Sequence, residues 1–564
     1  LAPVRSLMNF RSPSFFLRLF AVAGTLVLLF PAAPAAYSLN LARQEMRVDA
    51  AVAKYGLTGK NAIVALVSRG IDWKSADFRN ADGTTRIEYI LDLGDNTGAN
   101  APGNTLGRGT IYTRSQIDAA LSNNTNLSTR DAAGSGTALA GIAAGGGRNN
   151  PLYRGIAPDA RLIIVKITSD GSVAHDGEPA DASFFAGQDA VIQALQFIAA
   201  KAAELHLPCA VTLDLGTRPG PIDGTSAYSR GINSVVGPGI AGLAIVTASS
   251  NDGGVDNHAA GIVPQGGTLT LDIVKVGTGS LILDLWYPET DRFNVRVFTP
   301  SGISGPYVAP ATPAATDSRT GTQFTYNHRG RDTDYFDSNN QKREIYIDLS
   351  GPAGSYKVEL TGATVVDGRF DASLSSSNFG SGTLVSRFLN NITPGSISDL
   401  ASTRNVIVTH SYIGRKTYND IDGISRTLYS QAVGELWPGS GTGLTYDGRF
   451  GVDVSVPADS VFTTYGSKSV FATTRSALIQ GGAGFYGRMN GVGAANPLVT
   501  GVVALMLELD PTLDAAQIKQ ILQSTARADS FTGATPNNTW GYGKLDALAA
   551  LDAVKARSSG SSLP

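Results

Sequence analysis

Gly491-Val492-Gly493-Ala494-Ala495-Asn496-Pro497-Leu498-Val499-Thr500-Gly501-Val502-Val503-Ala504-Leu505-Met506 is a small-residue turn running straight into a helix that is apolar almost all round. A helix with no polar face belongs in the middle of a large core. Its Gly- and Ala-rich first turn lets another backbone or a ligand come close. The N-terminus of such a helix presents unpaired N–H groups and the positive end of its dipole, a setting suited to a nucleophile or an anion. Yet the stretch contains no Ser, Cys or His.

Working outward, the chain reads as alternating strands and helices. Asn61 to Val67 is a short apolar run without alternation, the mark of a strand buried on both faces, and it stops at Ser68-Arg69-Gly70. In open α/β sheets, ligands and catalytic groups gather at such C-terminal strand ends. Gly134 to Gly145 is a second Gly-led, small-residue helix start. Further strands are expected at Arg161–Ile167, at Ala210–Leu215 ending at Gly216, at Leu243–Thr247 ending at Ser249-Ser250-Asn251-Asp252-Gly253, and at Val406–Thr409. Helices are expected at Leu41–Tyr55, Ser115–Leu121, Phe185–Leu205, Ser226–Val236 and Leu545–Ala556, with residues 79–130 otherwise loop. Another runs from Pro511 to Thr525, with Asp510 as N-cap and Pro511 at the first position. From Thr268 to Leu374 the helical period vanishes and period-two alternation replaces it, in Leu269–Val274, Ser280–Tyr287, Phe293–Phe298, Glu344–Leu349 and Tyr356–Leu360. The fold class is therefore α/β: a doubly wound parallel sheet with an inserted antiparallel, jelly-roll-like β-sandwich. The expected boundaries are a signal peptide over 1–36, a first α/β part over 37–262, the sandwich over 263–376, a second α/β part over 377–556 and a flexible tail over 557–564.

The 564 residues carry a formal net charge of −2, which gives no electrostatic case for nucleic acid or an anionic membrane surface. Arg5, Arg11 and Arg18, the apolar run Leu19–Phe30 and the small-x-small site Ala33-Pro34-Ala35 read as a secretory signal, with an uncleaved anchor as the alternative and the start at either Leu1 or Met8. A secreted or cell-envelope protein without a membrane span after cleavage is expected. The single cysteine, Cys209, excludes an intrachain disulfide and reads as buried filler.

Together these motifs resemble the subtilisin-like serine peptidase family, the subtilases. Val64 to Trp73 resembles that family's Asp-Thr/Ser-Gly strand end, Gly134 to Gly145 its His-Gly-Thr-His-Val-Ala-Gly helix, and Gly155-Ile156-Ala157-Pro158 its Gly-Val-Ala-Pro segment. Asn251 stands at the family's oxyanion-hole asparagine. Gly491 to Gly501 matches the nucleophile motif Gly-Thr-Ser-Met-Ala-Ala-Pro-His-Val-Ala-Gly without insertion or deletion. A sandwich inserted between these last two motifs resembles the spore-germination branch, which includes members without a functional triad. The resemblance implies a subtilisin-like fold.

At the family's catalytic positions this chain has Ser68 for the acid, Ser135 for the base and Gly493 for the nucleophile. Acyl transfer by that route needs a nucleophile, a base to deprotonate it and an acid to orient the base. Removing a whole triad of this kind costs on the order of 10⁶ in rate, leaving about 10³ to 10⁴ over water from the oxyanion hole and binding. Asn251 is the group that would supply that remainder. Asp214 stands where the resemblance places a substrate-lining serine before Leu215 and Gly216. It reads either as a loop aspartate held by backbone or as a cleft acid that attracts a basic peptide side chain or a cation. None of the histidines replaces the base by spacing: His258 reads as structural, His410 as ending a strand away from the cleft, His328 as lying in the insertion, and His175 and His206 as loop or helix-end residues. The leading expectation is a pseudoprotease binding a peptide or protein partner through Asn251, Asp214 and Gly216. The alternatives are a hydrolase with unrecognised groups, or a binding module acting through the sandwich, whose Trp286, Tyr287 and Phe293 read as core. No cofactor is expected; a structural calcium is left open at Asp92, Asp95 and Asn96.

Overall fold

The structure is a computed structural model describing residues 40–216, 218–312, 314–330, 340–376 and 385–558. The expected signal peptide over 1–36 and the tail from 559 lie outside the described residues. Arg557 and Ser558, assigned to that tail from the sequence, instead close the last helix.

The N-terminal helix expected over Leu41–Tyr55 is two, α1 (Asn40–Glu45) and α2 (Val48–Tyr55), because Arg47 adopts a left-handed conformation with φ 60° and breaks the ladder between them. The first α/β part then supplies β1 (Ile63–Ser68), β2 (Ile87–Asp92), β3 (Thr110–Thr113), α3 (Arg114–Ser122), α4 (Ser135–Ala144) and β4 (Arg161–Lys166). A hairpin of β5 (Thr168–Ser172) and β6 (Asp181–Phe185) follows, then α5 (Gln188–Glu204), β7 (Cys209–Leu213), α6 (Ala227–Val235) and β8 (Leu243–Ala248).

The insertion is built from β9 (His258–Ile262), β10 (Thr268–Lys275), β11 (Leu281–Pro288), β12 (Arg292–Thr299), β13 (Gly302–Tyr307), β14 (Thr316–Thr320), β15 (Phe324–Arg329), β16 (Lys342–Leu349), β17 (Gly354–Thr364), β18 (Arg369–Ser376) and β19 (Arg387–Phe388). The second α/β part adds β20 (Ile407–Ile413), β21 (Thr417–Asn419), β22 (Ser425–Thr427), β23 (Val454–Asp459), β24 (Val461–Thr464), α7 (Val470–Thr473), β25 (Tyr486–Met489), α8 (Ala495–Leu509), α9 (Ala515–Thr525) and α10 (Ala547–Ser558).

The main sheet has eight strands in the order β23-β20-β8-β7-β1-β4-β2-β3. All neighbours are parallel except the edge pair β2–β3, so the sheet is mixed rather than wholly parallel. These two strands lie inside the stretch read as loop from sequence. The central strand β1 is buried along its whole length, as its unalternating apolar run requires. Every residue of α8 from Ala495 to Leu507 is buried. The helix packs on β7, β8, β20 and β23 and beside α4, which accounts for its all-round apolarity. The N-cap of α9 is Asp514, not Asp510: its carboxylate accepts the Gln517 N–H while the Gln517 side chain answers the Asp514 N–H. Asp510 lies just past the end of α8, where its carboxylate accepts from the Thr512 N–H and hydroxyl.

The sandwich has two antiparallel sheets, β13-β12-β17-β10-β19 and β14-β15-β16-β11-β18-β9, which enclose a core of their own. Trp286, Tyr287 and Phe293 are all buried. Its sheets draw on residues as early as His258 and as late as Phe388, beyond the 263–376 span read from alternation. Polar ties join it to the segment following β7. The Gly220 N–H donates to Asp284 Oδ2 at 2.6 Å, Lys342 Nζ reaches Asp223 Oδ2 at 2.6 Å, and Asn340 Nδ2 donates to Thr225 Oγ1 at 2.8 Å. Arg218, buried beneath, donates to Asn257 Oδ1 at 2.5 Å.

Candidate functional site

The site lies at the C-terminal edge of the main sheet, where β1, β7 and β8 end against the start of α8. The β1–β7 ladder continues one residue past β7, since the Asp214 N–H donates to Val67 O at 3.1 Å. That sets Asp214 beside Ser68, whose Oγ donates to Asp214 Oδ2 at 3.0 Å. Arg69 Nη1 reaches the same oxygen at 3.1 Å, and Arg69 Nε donates to Asp170 Oδ2 in β5 at 2.7 Å. One guanidinium thus bridges two carboxylates. Burial pushes the Asp214 carboxyl above the usual carboxylate range, while the Arg69 charge and the Ser68 hydroxyl pull it back. The reading of Asp214 as a loop aspartate held by backbone is corrected: side chains hold its carboxylate, and one of them is the cationic Arg69.

Asp214 Oδ1 has no partner among the described residues and faces Gly493. A methyl group on Gly493 would stand 3.6 Å from it and 3.8 Å from Met489 Cε. A side chain at 493 would therefore stand in ordinary contact with a carboxylate oxygen. On the opposite flank, Asn251 is exposed and its Oδ1 accepts the Val492 N–H at 3.1 Å, which ties the end of β8 to the turn before α8. Gly216 is exposed, and a side chain there would meet nothing within 4 Å.

Ser135 opens α4 after a left-handed Gly134, and its Oγ is buried without a partner among the described residues. The start of α4 is pressed against the turn after β1: a methyl on Gly136 would fall 2.2 Å from Gly70 O, so only glycine fits. Asp131, which the sequence reading passed over, organises this helix start. Its carboxylate accepts the Gly134 N–H at 2.9 Å, and the Thr137 N–H and hydroxyl at 2.7 and 2.8 Å.

The histidines have other work. His258 sits in β9 with its ring stacked on Tyr446 and its nitrogens on Asp371 and Thr393 O, a structural role as expected. His410 lies inside β20 rather than at its end. It forms a Ser–His pair with Ser455 Oγ at 2.7 Å, but both residues are fully buried and Ser455 donates to Trp540 O, so no substrate reaches the pair. Burial pushes His410 down to about 4 and His328 down to about 3, leaving both neutral at physiological pH. Among the described residues, no group of three or more His, Cys, Asp or Glu side chains is placed to hold a metal ion. Asp92, Asp95 and Asn96 each accept backbone N–H groups in separate turns, from Gly94, Thr97 and Gly109.

Besides Asp131, the site residues the sequence did not single out are Arg69, Asp170 and Met489. Arg69 lay in plain view between Ser68 and Gly70, but its partner is 145 positions away.

A family model described as the subtilase family matches residues 59–193 and 353–543. No curated protein matches the chain. Among solved structures, the CspB protease of Clostridium perfringens superposes with a TM-score of 0.70 at 23% identity, covering 91% of this chain and 99% of that one. Fervidolysin from Fervidobacterium pennivorans, a keratinolytic enzyme related to subtilisin, gives a TM-score of 0.42 at 15% identity, covering 92% of this chain and 45% of its own. At these identities the likeness to CspB carries the fold.

Proposed function

The chain belongs to the subtilase family, and from that membership together with Ser68, Ser135 and Gly493 at the family's chemical positions we propose that it is a secreted pseudoprotease, a peptidase fold that binds a peptide or protein partner in its cleft without cutting it. The observation that carries this reading is the Ser68–Asp214–Arg69 network. Two hydroxyl-bearing residues and a glycine provide no base near neutral pH, Gly493 has no side chain to acylate, and the carboxylate nearest it is already engaged by an arginine. Asn251 and the exposed segment at Gly216, just past the end of β7, remain available to an extended peptide, which pairs through its backbone. The export assignment rests on Arg5, Arg11, Arg18 and the apolar run Leu19–Phe30.

The test incubates the purified protein with a complex peptide mixture and follows both retention and cleavage by mass spectrometry. Saturable retention of intact peptides is expected. Turnover that copurifies with the protein and falls in Asn251→Ala overturns the reading in favour of a hydrolase with non-standard groups.

A further inference from the structure

The hairpin β5–β6 stands apart from the layers of the fold. Its two strands pair with each other in a sheet of their own, from Thr168 with Phe185 to Ser172 with Asp181. None of the described hairpin residues joins a hydrophobic core, and Val173 and Phe185 lie open to solvent. Phe184 packs against Gly94, where a methyl would stand 2.6 Å from its ring. A lone two-stranded hairpin is marginally stable, so its polar bonds to the rest of the chain decide where it lies.

Those bonds are made at both of its ends. At the foot, Asp170 Oδ2 accepts from Arg69 Nε at 2.7 Å, one residue from Ser68. At the tip, Asp176 and Gly177 are both left-handed, with φ 45° and 80°, and His175 and Glu178 exchange backbone hydrogen bonds across them, a tight two-residue turn. The turn carries two side chains to one loop. His175 Nε2 lies 3.1 Å from Lys468 O, and Lys468 Nζ donates to Glu178 Oε1 at 2.9 Å. Arg130 Nη1 donates to Glu178 Oε2 at 3.0 Å, and its Nη2 donates to Pro179 O at 2.7 Å.

Lys468 and Arg130 belong to the two segments that flank the start of α4. A methyl on Gly134 would stand 2.5 Å from Ser469 Oγ, and the Val470 and Phe471 N–H groups donate to Ala132 O and Ala133 O at 2.9 and 3.2 Å. A methyl on Gly70, in the turn after β1, would stand 3.0 Å from Arg130 O. The foot of the hairpin is therefore bonded beside Ser68 and its tip beside Ser135, whose Oγ is buried.

We infer that the β5–β6 hairpin is a strap closed across the Ser68–Ser135 end of the cleft, and that a peptide or protein ligand must lift it to occupy that end. The tip is the releasable end. Lys468 is 66% exposed there, and ion pairs this open to water hold weakly and are screened by salt. Glu178 is the shared partner of both tip ion pairs, so one substitution frees the tip. Arg69 keeps its hold on Asp214 when Asp170 leaves, so the cleft wall stays in place as the strap lifts. The regulatory role of the strap rests on the cleft being a binding site that does not cut; its covering of Ser135 does not.

Accessibility beneath the strap tests this in the whole protein. Ser135→Cys places a thiol there, and the buried Cys209 of wild type supplies the background. The probe is methyl methanethiosulfonate, which is uncharged, with labelling followed by mass spectrometry. Labelling of Ser135→Cys is slow at about 20 mM salt and at least 10-fold faster at about 0.5 M salt, where screening shortens to a few ångströms. Adding Glu178→Gln gives the same acceleration at low salt, whereas Glu204→Gln, which removes an ion pair on α5, gives none. Hydrogen exchange of residues 168–185 is the second readout and needs no cysteine: Glu178→Gln alone speeds it at least 10-fold while β1 stays protected. Labelling that is fast from the outset, or labelling or exchange unmoved by Glu178→Gln, overturns the inference; if Ser135→Cys does not fold, unmoved exchange alone does so. Glu178→Gln also retains several-fold more intact peptide. Labelling that responds to salt and to Glu178→Gln in a protein that retains no peptide, or cuts it, leaves the strap standing and overturns the underlying reading instead.

Discussion

Replacing Arg69 by methionine keeps an unbranched apolar stem and removes the charge, leaving Asp214 facing Asp170 and the interior without a counter-ion. At 3.1 Å and an effective dielectric of 20, the gross Coulomb attraction of the Arg69–Asp214 pair is about 5 kcal/mol. The two side chains are 27% and 17% exposed, between a surface pair worth about 0–1 kcal/mol and a fully buried pair whose breaking costs about 3–5 kcal/mol. A net loss of about 2 kcal/mol is expected at pH 8. Its pH dependence follows from Asp214. Burial already raises this carboxyl in the folded state, and removing Arg69 removes the main force pulling it back. A carboxyl that holds its proton longer folded than unfolded lowers stability as pH rises from about 4, the unfolded value, through the raised folded value, and levels off above it. The deficit of Arg69→Met relative to wild type is therefore small at pH 4.5 and largest at pH 8. Urea denaturation at the two pH values measures it, and taking the difference from wild type cancels the other carboxylates. Adding Asp214→Asn to Arg69→Met recovers most of the loss at pH 8. An equal deficit at both pH values, or no recovery in the double variant, refutes the argument.

Gly493→Ser restores a hydroxyl beside Asp214 but no imidazole, so labelling by a fluorophosphonate probe stays at background; labelling at residue 493 would show that a base is present. Gly136→Ala forces a methyl to 2.2 Å from Gly70 O and costs about 3 kcal/mol or more, read as a lower thermal midpoint. Asp514→Ala removes the cap of α9 and costs about 1 kcal/mol in chemical denaturation, whereas the former candidate Asp510 leaves that helix start untouched. Asp399, buried between the segment after β7 and the start of the second α/β part, is raised to about 7 by burial, so its contribution to stability falls as pH rises from about 4 to about 7; Asp399→Asn flattens that slope in a pH series of melting midpoints.

The strands at the centre of the fold could be read from sequence because a strand covered on both faces has an unbroken apolar run rather than an alternating one, as β1, β4, β7 and β8 have between their few polar residues. Edge elements carry no such constraint. Thr110–Thr113 looks like loop because three of its four residues are only partly buried, and the Gly- and Ser-bearing Gly302–Tyr307 because neither of its faces is buried. The same reason hid β14, whose Thr316–Thr320 is nearly all polar and exposed. The cap of α9 was misplaced because both Asp510 and Asp514 stand before a helical run, and only the reciprocal bond from Gln517 separates them. At the site, Ser68, Ser135 and Gly493 could be singled out because they sit inside stretches of fixed spacing. The Arg69–Asp214–Asp170 bridge could not, because it joins residues just past the ends of β1 and β7 to the middle of β5, and no local pattern encodes which pair will meet.

The six residues Asp252 to Asn257 are all that separate Asn251, on the rim of the cleft, from His258, the first residue of the sandwich's edge strand. Arg218 clamps this short tether to the segment running on from Asp214, through Asn257, and Asp284 and Lys342 grip the same segment from the sandwich side. The sandwich is thus attached to both walls of the cleft at once, as a handle is to a pair of jaws. Any displacement of the sandwich is therefore passed at once to Asn251 and to the segment leaving β7, along a tether of six residues that leaves little slack.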